Sequence, residues 1–172
     1  MSIAPVVNGW FERNRRELPW RREGFGAWGI LVSEIMLQQT PVARVIPRLA
    51  QWLERWPTPG DLAASPVSEA LRAWERLGCP RRALNRHAAA GAITTQHGGV
   101  VPTDFEALSA LPGIGRSTAG AILALSAHQH HAILDGNVKR VLARVFRIEG
   151  VPSESAVQRQ LWKLAERCTP MQ

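Results

Sequence analysis

Two acidic residues and a glycine-containing turn form the most informative pattern in this sequence. Glu34 lies in SEIMLQQT, Asp135 lies 101 positions later in ILDGNVKR, and the segment LPGIGRSTAG stands between them at residues 111–120. One acid is surrounded by apolar residues, the other follows an apolar run, and the turn has the composition of a phosphate-binding hairpin. Together these features predict chemistry on a nucleic-acid base.

Glu34 has the residue types around it that a general acid requires. Its sequence neighbours are apolar, namely Ile30, Leu31, Ile35, Met36 and Leu37. A carboxyl group in such surroundings is costly to ionise, so we expect a raised pKa and a proton that is available near neutral pH. The alternative, which is commoner for an isolated glutamate, is an exposed residue on the polar face of an amphipathic helix.

Asp135 follows an apolar run and precedes Gly136 and Asn137. Asp is a favoured N-cap residue, so one interpretation is that it caps a helix beginning near Gly136. A carboxylate that is held rigidly at a helix start is also suited to stabilising a cationic sugar. The two roles are compatible.

The segment LPGIGRS places two glycines directly before a helix rich in small residues. Gly113 and Gly115 are expected to allow positive φ and close approach of the backbone. The first amides of the following helix then face a phosphate, and Arg116 adds a charged contact. Such a hairpin binds the nucleic-acid backbone and does not recognise the base sequence. The alternative is a plain tight turn between two packed helices.

The composition favours a nucleic-acid partner and excludes a membrane-spanning protein. The chain has 21 Lys and Arg against 14 Asp and Glu, which gives a net charge of +7, and nearly all the basic residues are Arg. Arg suits phosphate groups, although GC-rich coding also raises Arg content. There is no apolar stretch of about 20 residues and no signal peptide, so we expect a soluble, intracellular protein. A monomer is the default expectation for its oligomeric state. The two cysteines, Cys79 and Cys168, are expected to be free thiols.

Helical spacing of apolar residues predicts an all-α protein. Thr40-Pro41 and Ser65-Pro66 are interpreted as helix starts with a hydroxyl N-cap, and Thr103 with Glu106 is interpreted as a capping box. Helices are predicted at residues 5–16, 26–38, 41–55 with a potential break at Pro47, 67–76, 81–97, 104–109, 116–127, 136–147 and 154–167.

Four longer motifs resemble one known family. LPW at 18–20, SEIMLQQT at 33–40, LPGIGRSTAGAIL at 111–123 and ILDGNVKRVLAR at 133–144 are similar to the A/G-specific adenine DNA glycosylases of the helix-hairpin-helix glycosylase superfamily. The resemblance covers nearly the whole chain. It implies a helical barrel domain at 22–132, with its helix-hairpin-helix at 104–127, and a second helical domain formed by 1–21 and 133–172.

The resemblance also implies a reaction. The enzymes of this family hydrolyse the glycosidic bond of an adenine that is mispaired with 8-oxoguanine or guanine in double-stranded DNA, after flipping the adenine into a pocket. Glu34 would protonate adenine N7, Asp135 would stabilise the sugar cation, and Asn137 would position both. The DNA-binding residues implied are Gln38, Gln39, Cys79, Gly113, Gly115, Arg116, Ser117 and Lys139. The backbone carbonyls of Ser109, Leu111 and Ile114 would bind a monovalent cation. In a bacterium the protein would be cytoplasmic and associated with the nucleoid.

Ser117 distinguishes this chain from the endonuclease-like members of the superfamily. Those bifunctional lyases carry Lys at the matching position, where its amine forms a Schiff base with the sugar. Because a serine hydroxyl cannot do so, the resemblance implies a monofunctional enzyme, and a glycosylase with lyase activity is disfavoured.

The chain departs from the family in three respects. It ends before the four cysteines that bind a 4Fe-4S cluster in full-length relatives and before the domain that recognises 8-oxoguanine, so we interpret it as C-terminally truncated and without a cofactor. Cys79 stands where the family usually has a Tyr that wedges into the duplex, and the lost stacking is worth roughly 1–3 kcal/mol. Alternatively, Cys79 is a small buried residue without a DNA role. We expect weak DNA binding and slow or absent excision; the alternative function is a catalytically inactive DNA-binding domain.

Overall fold

The computed structural model describes residues 3–170, and within that range the chain forms α-helices and no β-strand, which confirms the all-α prediction. A short 3₁₀ helix at Pro19–Arg21 separates the first two α-helices. The α-helices are α1 (Ala4–Asn14), α2 (Ala27–Leu37), α3 (Val42–Arg55), α4 (Pro59–Ala64), α5 (Val67–Ala73), α6 (Arg81–Gln96), α7 (Phe105–Ser109), α8 (Arg116–Ser126), α9 (Gly136–Val145) and α10 (Ser155–Cys168).

Helix α2 is the central helix of the fold. It packs against α3, α6 and α8. Apolar side chains surround it almost completely, and Leu31, Val32 and Met36 are fully buried, as expected for a helix that is apolar on all sides. Glu34 is the one charged residue in its sequence, AWGILVSEIML. The same packing that buries α2 therefore places this single carboxyl group against the interior.

The apolar residues form two separate clusters. The larger cluster contains buried residues from Leu18 to Leu123, contributed mainly by α2 to α8. The smaller cluster joins α9 to α10 through Leu134, Leu142, Val157, Leu161 and Ala165, with Ile3 packed against it. Leu18 and Trp20 belong to the larger cluster, although the predicted boundary assigns them to the second domain. The division into two domains stays a prediction.

Three of the predicted N-cap residues are wrong. The hydroxyl of Thr40 donates to the carbonyl of Leu77 at 3.1 Å, and that of Ser65 donates to the carbonyl of Leu62 at 2.8 Å. Both hydroxyls satisfy neighbouring carbonyls, and the N-cap positions of α3 and α5 are the prolines that follow them. The predicted capping box at Thr103 is wrong as well. Asp104 lies one residue closer to the helix, and its carboxylate accepts from the amide of Ala107 at 2.8 Å.

One short helix was not predicted, although its signal is present in the sequence. Thr58 and Asp61 form a capping box at the start of α4, with Pro59 in the first turn. At six residues α4 is too short to show helical periodicity, so only the cap could have revealed it. The potential break at Pro47 is not observed, because α3 continues through this proline.

Candidate active site

A cleft of about 740 Å³ lies where the end of α2, the start of α6, the first half of α8 and the segment entering α9 meet. Seven of the site residues predicted from sequence line it together, although they come from distant parts of the chain. They are Glu34, Gln38, Gln39, Cys79, Ser117, Asp135 and Asn137. The cleft is also lined by Arg82, Thr118 and Arg140, to which the sequence analysis gave no role. Gly113, Gly115, Arg116 and Lys139 do not line it.

Glu34 has the protonation behaviour of a general acid. Its carboxyl group reaches the cleft from the buried helix α2 and is itself only partly exposed. Burial raises its pKa to about 7, and the negative charge of Asp135 contributes further in the same direction. Near neutral pH a large fraction of Glu34 is therefore protonated. An exposed glutamate on the polar face of an amphipathic helix, which was the alternative interpretation, would not have such a raised pKa. The two acids line the same cleft.

Asp135 is held in place as the N-cap residue of α9. Its Oδ1 accepts a hydrogen bond from the amide of Val138 at 2.8 Å, as the capping interpretation requires. The carboxylate remains exposed to the cleft. One oxygen is thus used for capping, and the side chain is a fixed anion at the helix start, where the helix dipole favours negative charge.

Helix α8 fixes the segment that leads to Asp135. The Ser117 hydroxyl accepts a hydrogen bond from the amide of Leu134 at 3.0 Å. Further along α8, a Cβ at Gly120 would lie 3.0 Å from the carbonyl oxygen of Ala132 and 3.3 Å from the Cβ of His131. The close approach therefore depends on a glycine at this position. The hydroxyl of Ser117 and the absence of a side chain at Gly120, both on α8, therefore help to position the segment that leads to Asp135.

Asn137 lies in the first turn of α9 and is oriented by Arg140. The Asn137 Oδ1 accepts from Nη2 of Arg140 at 2.6 Å, and both side chains line the cleft. This contact leaves the amide nitrogen of Asn137 available to donate toward the cleft. Sequence reasoning did not identify Arg140 as a partner, although its spacing of three residues places the two side chains on one helix face.

The other edge of the cleft is the turn between α2 and α3. Gln38 donates through Nε2 to the hydroxyl of Thr118 at 3.4 Å, which ties this turn to α8. The next residue, Gln39, is exposed and has a φ of +59°, which is uncommon for a residue other than glycine. Such a backbone conformation persists only where the surrounding structure supports it.

Arg82 supplies that support. Its guanidinium donates to the carbonyl of Gln38, to that of Ile35 at 3.4 Å and to that of Leu77 at 2.7 Å, and it lies over the ring of Trp74. The carbonyls of Ile35 and Gln38 belong to the end of α2, where they have no partners within the helix. In the sequence nothing distinguishes Arg82 from its neighbour Arg81. Only the structure shows that the Arg82 side chain points inward, while Arg81 is exposed.

Cys79 is exposed at the edge of the cleft. The interpretation of this residue as a buried small side chain is therefore wrong. Its contact with DNA stays a prediction, but it stands at the surface where a larger side chain would project from the protein.

The hairpin before α8 has the expected geometry at one of its two glycines. Gly113 has a φ of +78°, and a Cβ there would lie 2.7 Å from the Cβ of Asn85, so both the conformation and the packing demand glycine. Gly115 has a φ of −93°, so the expectation of positive φ at this residue is wrong. A Cβ at Gly115 would meet nothing within 4 Å, and no side chain caps the first amides of α8. These amides therefore have no side-chain cap among the described residues, as a phosphate site requires.

Arg116 and Lys139 are placed differently from the cleft residues. Arg116 pairs with Glu166 on α10 at 2.7 Å, and its guanidinium lies 3.7 Å from the ring centre of Trp162. This contact joins α8 to the smaller cluster, so Arg116 has a structural use beside its predicted DNA contact. Lys139 is partly exposed on α9. The DNA contacts of both residues stay predictions.

The two cysteines of this sequence are too few to bind a 4Fe-4S cluster by themselves. A 4Fe-4S cluster needs four thiolates, and the sequence has two cysteines, one at the cleft and one packed against the smaller cluster. Across residues 3–170 there is no group of three or more His, Cys, Asp or Glu side chains that could hold a metal ion. At the predicted monovalent-cation site, the carbonyl of Leu111 accepts from the amide of Ile114 at 3.1 Å. That site stays a prediction.

Comparison with known proteins identifies a family of similar sequences. Residues 32–167 match the model of the HhH-GPD superfamily base excision DNA repair proteins. The adenine DNA glycosylase of Mycolicibacterium smegmatis is 46% identical over 171 residues, which are 99% of this chain and 58% of that protein. The human adenine DNA glycosylase is 40% identical over 166 residues, which are 92% of this chain and 30% of that protein. The chain therefore spans between about a third and three fifths of these two relatives.

Solved structures show the same fold. A thermostable thymine-DNA glycosylase superposes with a TM-score of 0.87 at 27% identity, over 98% of this chain and 77% of that one. A trapped covalent intermediate of endonuclease III with DNA gives a TM-score of 0.81 at 22% identity, over 97% and 75% of the two chains. No helix within residues 3–170 is long and apolar enough to cross a membrane.

Proposed function

Since this chain belongs to the HhH-GPD superfamily of base excision DNA repair proteins, we propose that it is a monofunctional adenine DNA glycosylase. Its substrate is an adenine mispaired with 8-oxoguanine or guanine in double-stranded DNA. The observation that carries this proposal is the pair of acids in one cleft, with the pKa of Glu34 raised to about 7 beside Asp135. A protonated acid and an anion facing one space are the groups that cleavage of a glycosidic bond requires.

The proposed reaction begins with the flipped adenine in the cleft. The Glu34 carboxyl group gives its proton to N7 of adenine, and the bond between C1′ of the sugar and N9 of adenine breaks with its electron pair passing to the base. The positive charge left on the sugar is stabilised by the carboxylate of Asp135, which is fixed at the start of α9. Water then adds to C1′ and returns a proton to Glu34. The products are free adenine and an abasic site.

The remaining cleft residues position the DNA. Asn137, oriented by Arg140, donates toward the sugar or its phosphate. The hairpin holds the backbone of the flipped nucleotide through the uncapped amides after Gly115. Gln38, Gln39 and Cys79 occupy the opposite edge of the cleft and face the mispair. The proposed partner is duplex DNA, and a monomer is the form that we propose binds it.

Ser117 supports hydrolysis without strand cleavage. Its hydroxyl already accepts the hydrogen bond from Leu134, and a serine cannot form the Schiff base on which a lyase depends. A glycosylase with lyase activity would leave a covalent adduct with DNA after borohydride reduction. We expect no such adduct.

The test is a single-turnover assay with protein in excess over a duplex that carries one adenine opposite 8-oxoguanine. Alkali converts each abasic site to a strand break. We expect slow excision by the unaltered protein, a further loss of at least a hundredfold in Glu34→Gln, and no change relative to the unaltered protein in Glu75→Gln, an exposed glutamate outside the cleft. Excision that survives Glu34→Gln would refute the assigned acid. Binding of the duplex without any excision would support an inactive DNA-binding domain instead.

A further inference from the structure

We propose that Arg44, Arg48 and Arg76 form a phosphate-binding patch that contacts the backbone of duplex DNA beside the catalytic cleft. This inference rests on the proposed function. The three side chains, with Pro47, line a shallow pocket of about 490 Å³ on the outer surface of α3. It is separate from the cleft that holds Glu34 and Asp135, with which it shares no lining residue.

The patch concentrates positive charge that the described protein does not neutralise. Arg44 and Arg48 are four residues apart on α3 and therefore lie on one face, where their like charges repel each other. The ion pairs within residues 3–170 are Arg55 with Glu69 and Arg116 with Glu166, so no carboxylate pairs with any of the three. Among the residues that the structure describes, the guanidinium groups make one hydrogen bond, from Arg48 to the side chain of Gln51 at 3.5 Å. Such an unneutralised cluster is complementary to a polyanion.

Arg76 is presented by a turn that is rigidly held. Its φ of +68° is costly for a residue with a side chain, and such strain persists only where neighbouring contacts enforce it. The next residue, Leu77, is buried, with 1% of its surface exposed. Its carbonyl accepts from the hydroxyl of Thr40 at 3.1 Å and from Arg82 at 2.7 Å. The side chain of Arg76 therefore extends from a backbone position that is already fixed before binding.

The same contacts connect the patch to the edge of the cleft. The turn that carries Arg76 continues directly into Cys79, and Thr40 follows Gln39; Cys79 and Gln39 both line the cleft. A duplex whose flipped base occupies the cleft must pass along this edge, and its backbone then meets the patch. Guanidinium groups bind phosphate oxygens through paired hydrogen bonds, so the patch would position the duplex without reading its sequence.

The salt dependence of binding tests the patch. We would compare the unaltered protein with the triple variant Arg44→Gln, Arg48→Gln, Arg76→Gln by fluorescence anisotropy on the mispaired duplex. Each lost phosphate contact lowers the magnitude of the negative slope of log K against log salt by about 0.9, so a decrease in magnitude of about 2 to 3 is expected. We also expect binding to weaken at least tenfold near 0.1 M salt. The single-turnover excision rate at saturating protein should not change, because the patch contacts neither the adenine nor its sugar.

A matched control removes the same charge elsewhere. Arg13, Arg159 and Lys163 are exposed and line neither pocket, and their replacement together by Gln should alter the slope by less than 1. An unchanged slope in the Arg44, Arg48, Arg76 variant, or an equal fall in the control, would overturn the patch while excision by the unaltered protein upholds the glycosylase. If the unaltered protein does not bind the duplex, both proposals are refuted.

Discussion

The Ser117 hydroxyl accepts a hydrogen bond from the amide of Leu134 at 3.0 Å, one residue before Asp135. Helix α8, which follows the glycine-containing hairpin, thus directly holds the segment that carries Asp135. In the proposed function, the hairpin would bind the DNA backbone while Asp135 stabilises the sugar. One helix would then position both groups relative to the same nucleotide.

Replacement of Ser117 tests that connection. In Ser117→Ala the amide of Leu134 loses its acceptor, which should cost about 1–3 kcal/mol of unfolding free energy where water cannot replace it. The position of Asp135 should also loosen, so we expect single-turnover excision to slow about tenfold. Ser117→Thr keeps the hydroxyl and should recover most of the rate. Equal rates in the unaltered protein and in Ser117→Ala would show that the hydrogen bond does not position Asp135.

The excision rate should fall as pH rises through about 7. The raised pKa of Glu34 means that its carboxyl group carries the required proton below about pH 7 and loses it above. We therefore expect a single-turnover rate that is constant on the acid side of this value and falls tenfold per pH unit well above it. The measurement is a rate profile between pH 5 and 9 at saturating protein. A rate that increases across pH 7 would contradict the role of Glu34 as the proton donor.

The same pKa has a consequence for stability. A carboxyl group whose pKa rises from 4.5 in the unfolded chain to about 7 in the folded protein binds its proton more tightly when folded. Its contribution is therefore favourable at low pH and is lost between about pH 4.5 and 7. Above pH 7, Glu34→Gln should be more stable than the unaltered protein by about 1–3 kcal/mol. Urea unfolding at pH 5 and pH 8 should show this advantage shrinking at the lower pH.

Arg82 should be required for the edge of the cleft that faces the mispair. Arg82→Gln removes donors to the carbonyls of Ile35, Gln38 and Leu77, so the strained backbone of Gln39 loses its support. We expect a loss of about 1–3 kcal/mol in unfolding free energy and weaker preference for adenine opposite 8-oxoguanine over adenine opposite thymine. Arg81→Gln is the control, because Arg81 is the exposed neighbour outside the cleft. Similar losses in both variants would argue against a specific role for Arg82.

An aromatic residue at position 79 should strengthen DNA binding. Cys79 is exposed at the cleft edge, so Cys79→Tyr adds a ring without disturbing the core. Stacking on a base is worth roughly 1–3 kcal/mol, which corresponds to about 5- to 150-fold tighter binding of the mispaired duplex. Cys79→Ser, which is small and cannot stack, should bind like the unaltered protein. Tyr and Ser variants with the same affinity would mean that this edge does not contact the bases.

Local sequence signals predicted the fold class and most of the helices. The apolar residues around Glu34 indicated both the buried helix and the raised pKa, because α2 is apolar on every side and a carboxyl group there is difficult to ionise. The cap role of Asp135 was also predictable, since a cap depends on residues within one turn. The caps at Thr40 and Ser65 failed because a hydroxyl has several nearby partners, and local sequence does not decide between an amide and a carbonyl.

The sequence by itself therefore indicated most of the helices and, through its longer motifs, the family. Only the tertiary structure decided which side chains meet. Arg82 and Arg81 are indistinguishable in sequence, yet one faces three carbonyls and the other faces solvent. Likewise, Arg44 and Arg48 join Arg76 through the packing of a distant turn. The physical reason is that hydrogen bonds and charge pairs depend on distances of a few ångströms between residues far apart in the chain, and helix packing sets those distances.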